Sequence, residues 1–161
     1  MGGAGQAPVQ VMQRGDVSRA IQRIAHEIVE RNHDAGAIAV VGLQRGGVWI
    51  AEQLSAKIAA IDPALVVSSG ALDVSMYRDD LRIRPVVDGA ITEISFDVTG
   101  MLVVLVDDVL FTGRTVRAAL EGLNSFGRPR AVQLAVLVDR GHRELPIRPD
   151  FVGKNLSLIH I

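Results

Sequence analysis

Two adjacent carboxylates, Asp107 and Asp108, directly follow an apolar run near the middle of the chain. This run, residues 101–106, is unbroken and rich in valine, which is typical of a strand buried on both faces of a parallel sheet. A loop with small residues at 112–115 comes next, and apolar residues at helical spacing continue to Phe126. The pattern predicts a strand, an acidic pair, a loop and a helix, in that order.

This order of elements is suited to binding a sugar phosphate. In an open α/β sheet, ligands lie where strands end and helices begin, and a helix N-terminus offers unpaired N–H groups and a partial positive charge. Thr112 and Thr115 add hydroxyl donors, and Gly113 lets the backbone approach closely. Asp107 and Asp108 can accept hydrogen bonds from sugar hydroxyls. A diol together with a phosphate indicates a ribose 5-phosphate.

The acidic pair also has simpler interpretations. An Asp pair after a strand can begin a turn and cap the following helix. An apolar strand that ends in Asp is also typical of the magnesium-binding strand of nucleoside triphosphatases. The chain contains no G-x-x-x-x-G-K-[ST] sequence, which excludes this second alternative. The turn-and-cap interpretation stays open from the residues alone.

Composition indicates one α/β domain without disulfides. A chain of 161 residues can bury one core, and with 22% charged and 4% aromatic residues that core must consist of Ala, Val, Ile and Leu. No apolar run approaches the roughly 20 residues of a membrane span, the first cation is Arg14, and cysteine is absent. We therefore expect a cytoplasmic protein with no membrane partner. The net charge of −1 excludes a globally basic nucleic-acid binder but allows a local basic patch.

The first part of the chain predicts a leader and a helix. Residues 1–13 are rich in Gly, Ala and Gln without periodicity, which predicts a disordered leader, and residues 14–161 are predicted to form a single domain. Asp16 suits the N-cap of a helix that runs to about Asn32. His26 and His33 lie in or near this helix without the spacing of metal ligands, so we expect both on the solvated surface.

A second strand, loop and helix precede the acidic pair. A strand is predicted at Ile38–Leu43, a loop at residues 44–47 and a helix at Val48–Ala60, although the Gly46-Gly47 pair alone indicates only a turn. The charged residues 75–85 indicate an exposed hairpin. Further strands are predicted at 65–74, 91–96 and 131–138. Alternating strands and helices predict a mainly parallel sheet with helices on both faces.

The central stretch resembles a known family motif. Residues 103–115 are similar to the 5-phosphoribosyl-1-diphosphate (PRPP) binding motif of type I phosphoribosyltransferases: four apolar residues, two acidic residues and a short Thr/Gly loop. Within that family, residues 107–118 are most similar to bifunctional proteins that regulate pyrimidine operons and act as uracil phosphoribosyltransferases. The resemblance covers nearly everything after Asp16. It implies the type I phosphoribosyltransferase fold, a mainly parallel sheet flanked by helices, with a small base-binding hood.

The resemblance also implies a reaction and its partners. Uracil would displace diphosphate from carbon 1 of PRPP to give UMP, with Mg²⁺ bound mainly through PRPP, diphosphate and water rather than by a dedicated set of protein ligands. The protein would form a homo-oligomer, a dimer or larger. Two alternatives stay open: a purine-base phosphoribosyltransferase without RNA binding, and an RNA-binding regulator with little catalysis.

The matching positions supply candidate site residues. Asp107 and Asp108 would hold the ribose hydroxyls, and Arg78 would reach the diphosphate from a loop that closes during turnover. Asp139 would contact substrate, Phe151 would stack on the base, and the backbone at Val152 would meet the base edge. The expected diphosphate-binding residues are Gln44, Arg45, Gly46 and Gly47. The expected 5-phosphate-binding residues are Val109, Leu110, Phe111, Thr112, Gly113, Arg114 and Thr115.

Basic residues in the last part of the chain suggest that the protein binds RNA. The bifunctional branch binds pyrimidine operon mRNA in response to UMP, and the matching basic positions are His142, Arg143, Arg148 and Lys154. The same cations could instead serve only the substrate. Beyond Leu156 the resemblance ends, whereas family members continue with a segment that covers the base. We therefore expect either a truncated C-terminus or an end of unrelated sequence, and in both cases weakened capture of uracil.

Overall fold

The computed structural model describes residues 12–75 and 92–156. Three sequence predictions lie wholly or mostly outside these residues: the leader at residues 1–13, of which only 12 and 13 are described, the closing loop that carries Arg78, and the departure from the family pattern after Leu156. Within the described part no helix is both long and apolar enough to cross a membrane.

One parallel sheet forms the centre of the molecule. Its strand order is β2-β1-β3-β4-β5, and every neighbouring pair is parallel. The strands are β1 (Ala37–Leu43), β2 (Val66–Leu72), β3 (Leu102–Leu110), β4 (Ala131–Asp139) and β5 (Phe151–Asn155). This arrangement confirms the predicted mainly parallel sheet.

Helices cover both faces of this sheet. They are α1 (Arg14–Arg31), α2 (Gly46–Ile61) and α3 (Arg114–Leu123), the last followed by a short 3-10 turn at Asn124–Phe126. Apolar residues of α1 and α2 pack in one core cluster, and those of α3 pack in a second cluster against the opposite face. The sheet is therefore buried from both sides, as parallel sheets require.

Strand β3 shows why the valine-rich run is continuous. Val104 and Val106 belong to the cluster under α1 and α2, whereas Val103 and Leu105 belong to the cluster under α3. Because successive side chains point to opposite faces and both faces are covered, every position from Leu102 to Val106 is buried.

Several element boundaries differ from the sequence predictions. Helix α1 begins at Arg14, so Asp16 is not its N-cap; its carboxylate instead accepts a hydrogen bond from the Gln13 N–H at 3.2 Å as part of a capping box. Helix α2 begins at Gly46, two residues earlier than expected. Among the described residues of the strand predicted at 91–96, Glu93 forms only an isolated antiparallel bridge with Ala71.

The largest difference concerns the acidic pair. Strand β3 continues to Leu110, so Asp107 and Asp108 lie inside the strand rather than after it. Asp107 is opposite Val136 of β4, and the pairing resumes at Val109. Pairing with β4 therefore holds the β3 backbone at Asp107 and again at Val109. This pairing fixes the position of the two carboxylates.

Candidate functional site

The loop after β1 meets the acidic pair at one edge of the sheet. Gly42 of β1 is opposite Val106 of β3, so the carboxyl ends of these strands lie side by side. A Cβ at Gly47 would overlap the Val106 carbonyl oxygen, and a Cβ at Gly46 would overlap the Asp108 carboxylate. Glycine at both positions therefore permits the N-terminus of α2 to approach the end of β3 closely. The structure brings these two predicted motifs into direct contact.

The carboxyl groups of Asp107 and Asp108 form a coupled pair. Asp107 Oδ1 accepts the Asp108 N–H at 2.8 Å, and Asp108 Oδ1 accepts the Val109 N–H at 2.8 Å. Burial, together with the hydrogen bond and the charge of neighbouring Asp108, raises the pKa of Asp107 to about 8. Asp107 therefore retains its proton near neutral pH, and a ligand that donates hydrogen bonds here would favour the ionised form.

A pocket of about 270 Å³ lies where β3 leads into α3. The turn before the helix needs Gly113, whose φ of +97° lies in the left-handed region. The Arg114 N–H donates to Thr112 Oγ1 at 3.2 Å, which orders the turn. The lining residues are Asp107, Val109, Leu110, Phe111, Thr112, Gly113, Arg114, Thr115, Val116 and Glu144. A helix N-terminus with two threonine hydroxyls fits a phosphate, as the sequence predicted.

Residues 140–148, which we call the cover segment, lie against this pocket. The Arg140 N–H donates to the Leu110 carbonyl at 2.9 Å, and the Glu144 N–H donates to the Thr112 carbonyl at 2.8 Å. The Arg114 side chain donates from Nε to Glu144 Oε1 at 2.7 Å. The role of Glu144 was not predicted, because the sequence shows it only as an acidic residue within a basic stretch.

Asp139, the last residue of β4, forms an ion pair with Arg143 of the cover segment. Asp139 is 3% exposed, and its carboxylate accepts Arg143 Nη2 at 2.8 Å and the Gly141 N–H at 3.0 Å. Burial alone would raise the pKa of Asp139, yet the hydrogen bonds and charge of Arg143 and the Gly141 N–H hold it below its usual value. Asp139 is therefore an ionised, structurally bound carboxylate at the end of β4.

An exposed aromatic ring marks the mouth of the pocket. Phe111 is 43% exposed, with Arg140 Cζ at 4.9 Å from its centroid and the His142 ring in an edge contact at 5.7 Å. The sequence predicts Phe111 at the phosphate and His142 at RNA, and it contains no signal for a role of Arg140. The structure brings the three side chains together.

The prediction that Phe151 stacks on a base is wrong for this structure. Its side chain is 4% exposed and belongs to the core cluster with α1, where Arg31 Cζ lies 5.6 Å from the ring centroid. An aromatic ring at the start of β5 faces α1 because strand alternation directs it there. Val152 points to the opposite face, and its carbonyl accepts Arg23 Nη1 at 3.2 Å.

The predicted RNA-binding residues lie on two elements. His142, Arg143 and Arg148 share the cover segment, whereas Lys154 lies on β5 opposite Val138. His142, Arg148 and Lys154 are exposed, but Arg143 is partly buried and donates three hydrogen bonds within the chain. Arg143 therefore differs from the other three residues in being partly buried.

The candidate site offers few donors to a metal ion. Across residues 12–75 and 92–156, no group of three or more His, Cys, Asp and Glu side chains could hold one. The acidic pair, Asp107 and Asp108, supplies the carboxylate oxygens that Mg²⁺ prefers. This donor set fits a magnesium ion whose other ligands come from a polyanionic substrate and water.

Comparisons with known proteins agree with this geometry. The family model "Phosphoribosyl transferase domain" matches residues 10–160. A "Bifunctional protein PyrR" from Roseiflexus is 55% identical over 150 residues, covering 91% of this chain and 80% of the relative. The protein of the same name from Streptomyces coelicolor is 57% identical over 147 residues, covering 91% and 76% respectively.

Solved structures with low sequence identity share the fold. A hypoxanthine phosphoribosyltransferase from Trypanosoma cruzi superposes with a TM-score of 0.70 at 20% identity, covering 88% of this chain and 77% of the other. A hypoxanthine-guanine phosphoribosyltransferase from Bacillus anthracis gives a TM-score of 0.69 at 18% identity, covering 90% and 80%. The predicted fold class is confirmed.

Proposed function

Because the chain belongs to the phosphoribosyltransferase family and, within it, to the PyrR proteins, we propose that it transfers the phosphoribosyl group of PRPP to uracil. The products are UMP and diphosphate. One observation carries the proposal: the glycines at the start of α2 lie directly against the acidic pair of β3, beside the pocket at the start of α3. A diphosphate, a ribose diol and a 5-phosphate can each find a suitable partner there.

Each part of PRPP has its own group of residues in this proposal. The ribose hydroxyls would donate to Asp107 and Asp108, whose positions in β3 are fixed by pairing with β4. The 5-phosphate would accept hydrogen bonds from the N-terminus of α3 and from its threonines, in the pocket lined by residues 109–115. The diphosphate would lie at the loop after β1, where Gln44, Arg45 and the N-terminus of α2 supply donors.

The reaction requires charge neutralisation more than a strong nucleophile. Bond breaking at carbon 1 gives a transition state expected to resemble an oxocarbenium ion, so the leaving diphosphate must be stabilised and the base must be held in line. Mg²⁺ bound mainly through PRPP and water, beside the carboxylates of Asp107 and Asp108, would supply neutralisation of the diphosphate charge. Arg78, which lies outside the described residues, would add a cation from the closing loop.

Base specificity for uracil follows from the PyrR relatives. The structural neighbours that act on hypoxanthine share only the fold at their 16–20% identity, so they do not favour a purine substrate. Since Phe151 is buried, stacking of the base on that ring is not part of this proposal.

A second function is regulation through RNA. We propose UMP-dependent binding of pyrimidine operon mRNA, which accords with the word "Bifunctional" in the names of the PyrR relatives. The supporting observation is that His142 and Arg148 are exposed on the same segment that contacts the phosphate pocket. A nucleotide in the pocket would thereby influence the position of cations that face the solvent.

The test is incubation of the protein with magnesium PRPP and one base at a time, followed by chromatography of the nucleotides. We expect UMP from uracil and far slower reaction with hypoxanthine, guanine or adenine. IMP or GMP as the main product would instead support a purine phosphoribosyltransferase. Homo-oligomer formation and a cytoplasmic location stay predictions, to be checked by light scattering and by fractionation of cells.

A further inference from the structure

The cover segment contacts every residue of the turn that precedes α3. The carbonyls of Leu110, Phe111 and Thr112 each accept a hydrogen bond from it. A Cβ built at Gly113 would lie 3.4 Å from Leu145 Cβ, and the Arg114 side chain pairs with Glu144. The turn that forms the proposed 5-phosphate pocket is therefore shaped by a stretch some thirty residues later in the chain.

Arg143 lies at the centre of these contacts. Its Nη1 donates to the Phe111 carbonyl at 2.8 Å, its Nε to the Ile147 carbonyl at 2.7 Å, and its Nη2 to Asp139 at 2.8 Å. The three acceptors belong to the turn before α3 at residues 111–113, which we call the phosphate turn, to the cover segment and to the end of β4. A planar guanidinium can satisfy three such directions at once, whereas a lysine ammonium is a compact charge on a flexible stem.

The ion pair with Asp139 fixes the Arg143 side chain to the end of β4. The Arg143 side chain is 21% exposed and that of Asp139 is 5% exposed, so solvent screens the pair weakly. Asp139 is itself fixed as the last residue of β4, opposite Leu110 of β3 and Asn155 of β5. The Arg143 side chain thus links the Phe111 carbonyl to the central sheet and fixes its position.

We propose that Arg143 is a positioning residue for the transferase reaction, which fixes the phosphate turn against the end of β4 so that the turn is ready for the 5-phosphate of PRPP. This inference rests on the proposed phosphoribosyltransferase function. It assigns Arg143 a role different from the RNA contact expected from its position in the sequence, because three of its donors are engaged inside the chain. RNA contact then falls to the exposed cations.

A positioning role for Arg143 and a role in folding alone predict different kinetics. The 5-phosphate does not react, so the enzyme holds it equally in the ground state and in the transition state, and a displaced turn should raise KM for PRPP while kcat stays similar. A residue that merely supports folding behaves differently. Its loss reduces the amount of active enzyme, which lowers the apparent kcat and leaves KM unchanged.

The experiment compares Arg143→Gln, Arg143→Lys and the control Arg130→Gln with the unaltered protein. Arg130 is exposed just before β4, at the opposite end of that strand from the cover segment, so its replacement removes the same charge away from the pocket. UMP formation at saturating uracil and varied magnesium PRPP gives KM and kcat. Thermal melting and binding of the pyrimidine-leader transcript are measured on the same samples.

For Arg143→Gln we expect KM for PRPP to rise about tenfold or more, since the charge-assisted hydrogen bonds that join the Phe111 carbonyl to Asp139 are lost and the turn before α3 is displaced. For Arg143→Lys, which keeps the charge and should fold, we expect a rise of several-fold, and for Arg130→Gln no change. A wild-type KM in Arg143→Lys would overturn the proposal. So would a loss confined to transcript binding, which would return Arg143 to an RNA-binding role. Inactivity of the unaltered protein would instead reject the transferase function itself.

Discussion

In the ligand-free protein, the carboxyl groups of Asp107 and Asp108 lie close enough to interact directly, and Asp107 retains a proton near neutral pH because its pKa is about 8. A ribose diol that donates hydrogen bonds to the pair, or a magnesium complex beside it, favours the ionised form. Binding of PRPP should therefore displace a proton from Asp107. A carboxyl group whose pKa is raised by burial and by a neighbouring carboxylate is a candidate functional group, which agrees with the role proposed for Asp107.

Replacing Asp107 by Asn should stabilise the ligand-free protein at alkaline pH. The folded pKa is raised from 3.8 to about 8, so wild-type stability falls as pH rises through this window and stays lower above it. The neutral amide removes this penalty, and each kcal/mol regained raises Tm by roughly 2–4 °C. Melting curves across the window provide the measurement.

Asp97→Asn is the matched control for this prediction. Hydrogen bonds from the Thr99 hydroxyl and N–H lower the pKa of Asp97, so its contribution is present at neutral pH and is lost only in acid. This control should therefore show no stabilisation at alkaline pH. A melting difference between Asp107→Asn and wild type that does not grow with pH would contradict the assigned titration.

At the level of secondary structure, the site depends on how closely α2 approaches β3. Gly47 has no room for a side chain because the Val106 backbone carbonyl occupies that space, and a backbone atom of a central strand cannot move aside easily. The same closeness brings the N–H groups at the start of α2 next to the acidic pair. In the proposed site, packing and diphosphate binding would thus impose the same requirement on Gly47.

Gly47→Ala should destabilise the protein by about 1–3 kcal/mol, since the helix must shift away from β3 to accommodate a methyl group. It should also weaken PRPP binding, because the proposed diphosphate loop moves with the helix. Denaturant unfolding and calorimetry measure the two effects. The control is Gly15→Ala in α1, where a Cβ would meet only the flexible Arg19 side chain at 3.4 Å. Equal stability of the two variants would argue against the close approach.

Secondary structure was predictable where the apolar pattern is strong. The valine run specified β3, and alternating strands and helices specified a parallel sheet covered on both faces. The continuation of β3 through Asp107 and Asp108 was missed because Asp is unfavourable in strands, and only pairing with β4 holds it there. Phe151 was misassigned because the residues alone did not show which face of β5 it occupies.

Contacts distant in sequence were not predictable in the same way. Arg114 pairs with Glu144 across 30 residues, and Arg143 contacts Phe111 across 32. Each of these residues is polar or exposed enough to fit a solvated loop, so no periodicity identifies its partner. The candidate ligands of PRPP could be inferred from the sequence, whereas the residues that shape the pocket around them required the structure.

On the scale of the whole molecule, catalysis and RNA binding would share one end of the sheet. The cover segment follows β4 at its carboxyl end, and β5 ends at the same level, since Asn155 is opposite Asp139. Exposed cations on these two elements therefore lie at the same end of the sheet as the pocket proposed to bind the nucleotide. This arrangement offers a physical route by which UMP could alter affinity for RNA.

Transcript binding should depend steeply on salt, and Arg148→Gln or Lys154→Gln should each reduce the slope of log affinity against log salt by about one phosphate contact. Arg128→Gln is the control, because Arg128 is exposed before β4, away from the cover segment. Filter binding with and without UMP is the measurement. Affinity for a shuffled transcript equal to that for the pyrimidine leader would indicate that the protein acts as an enzyme alone.

The central claim is that the acidic pair and the phosphate pocket form one PRPP site. Steady-state UMP formation by wild type and Asp108→Asn tests it most directly, because Asp108 is exposed at the site and its amide should leave the fold intact. A lost charge-assisted hydrogen bond is worth about 1.5–3 kcal/mol, so kcat/KM for PRPP should fall roughly tenfold to a few hundredfold with unchanged melting. An Asp108→Asn protein with wild-type kcat/KM for PRPP would contradict the account.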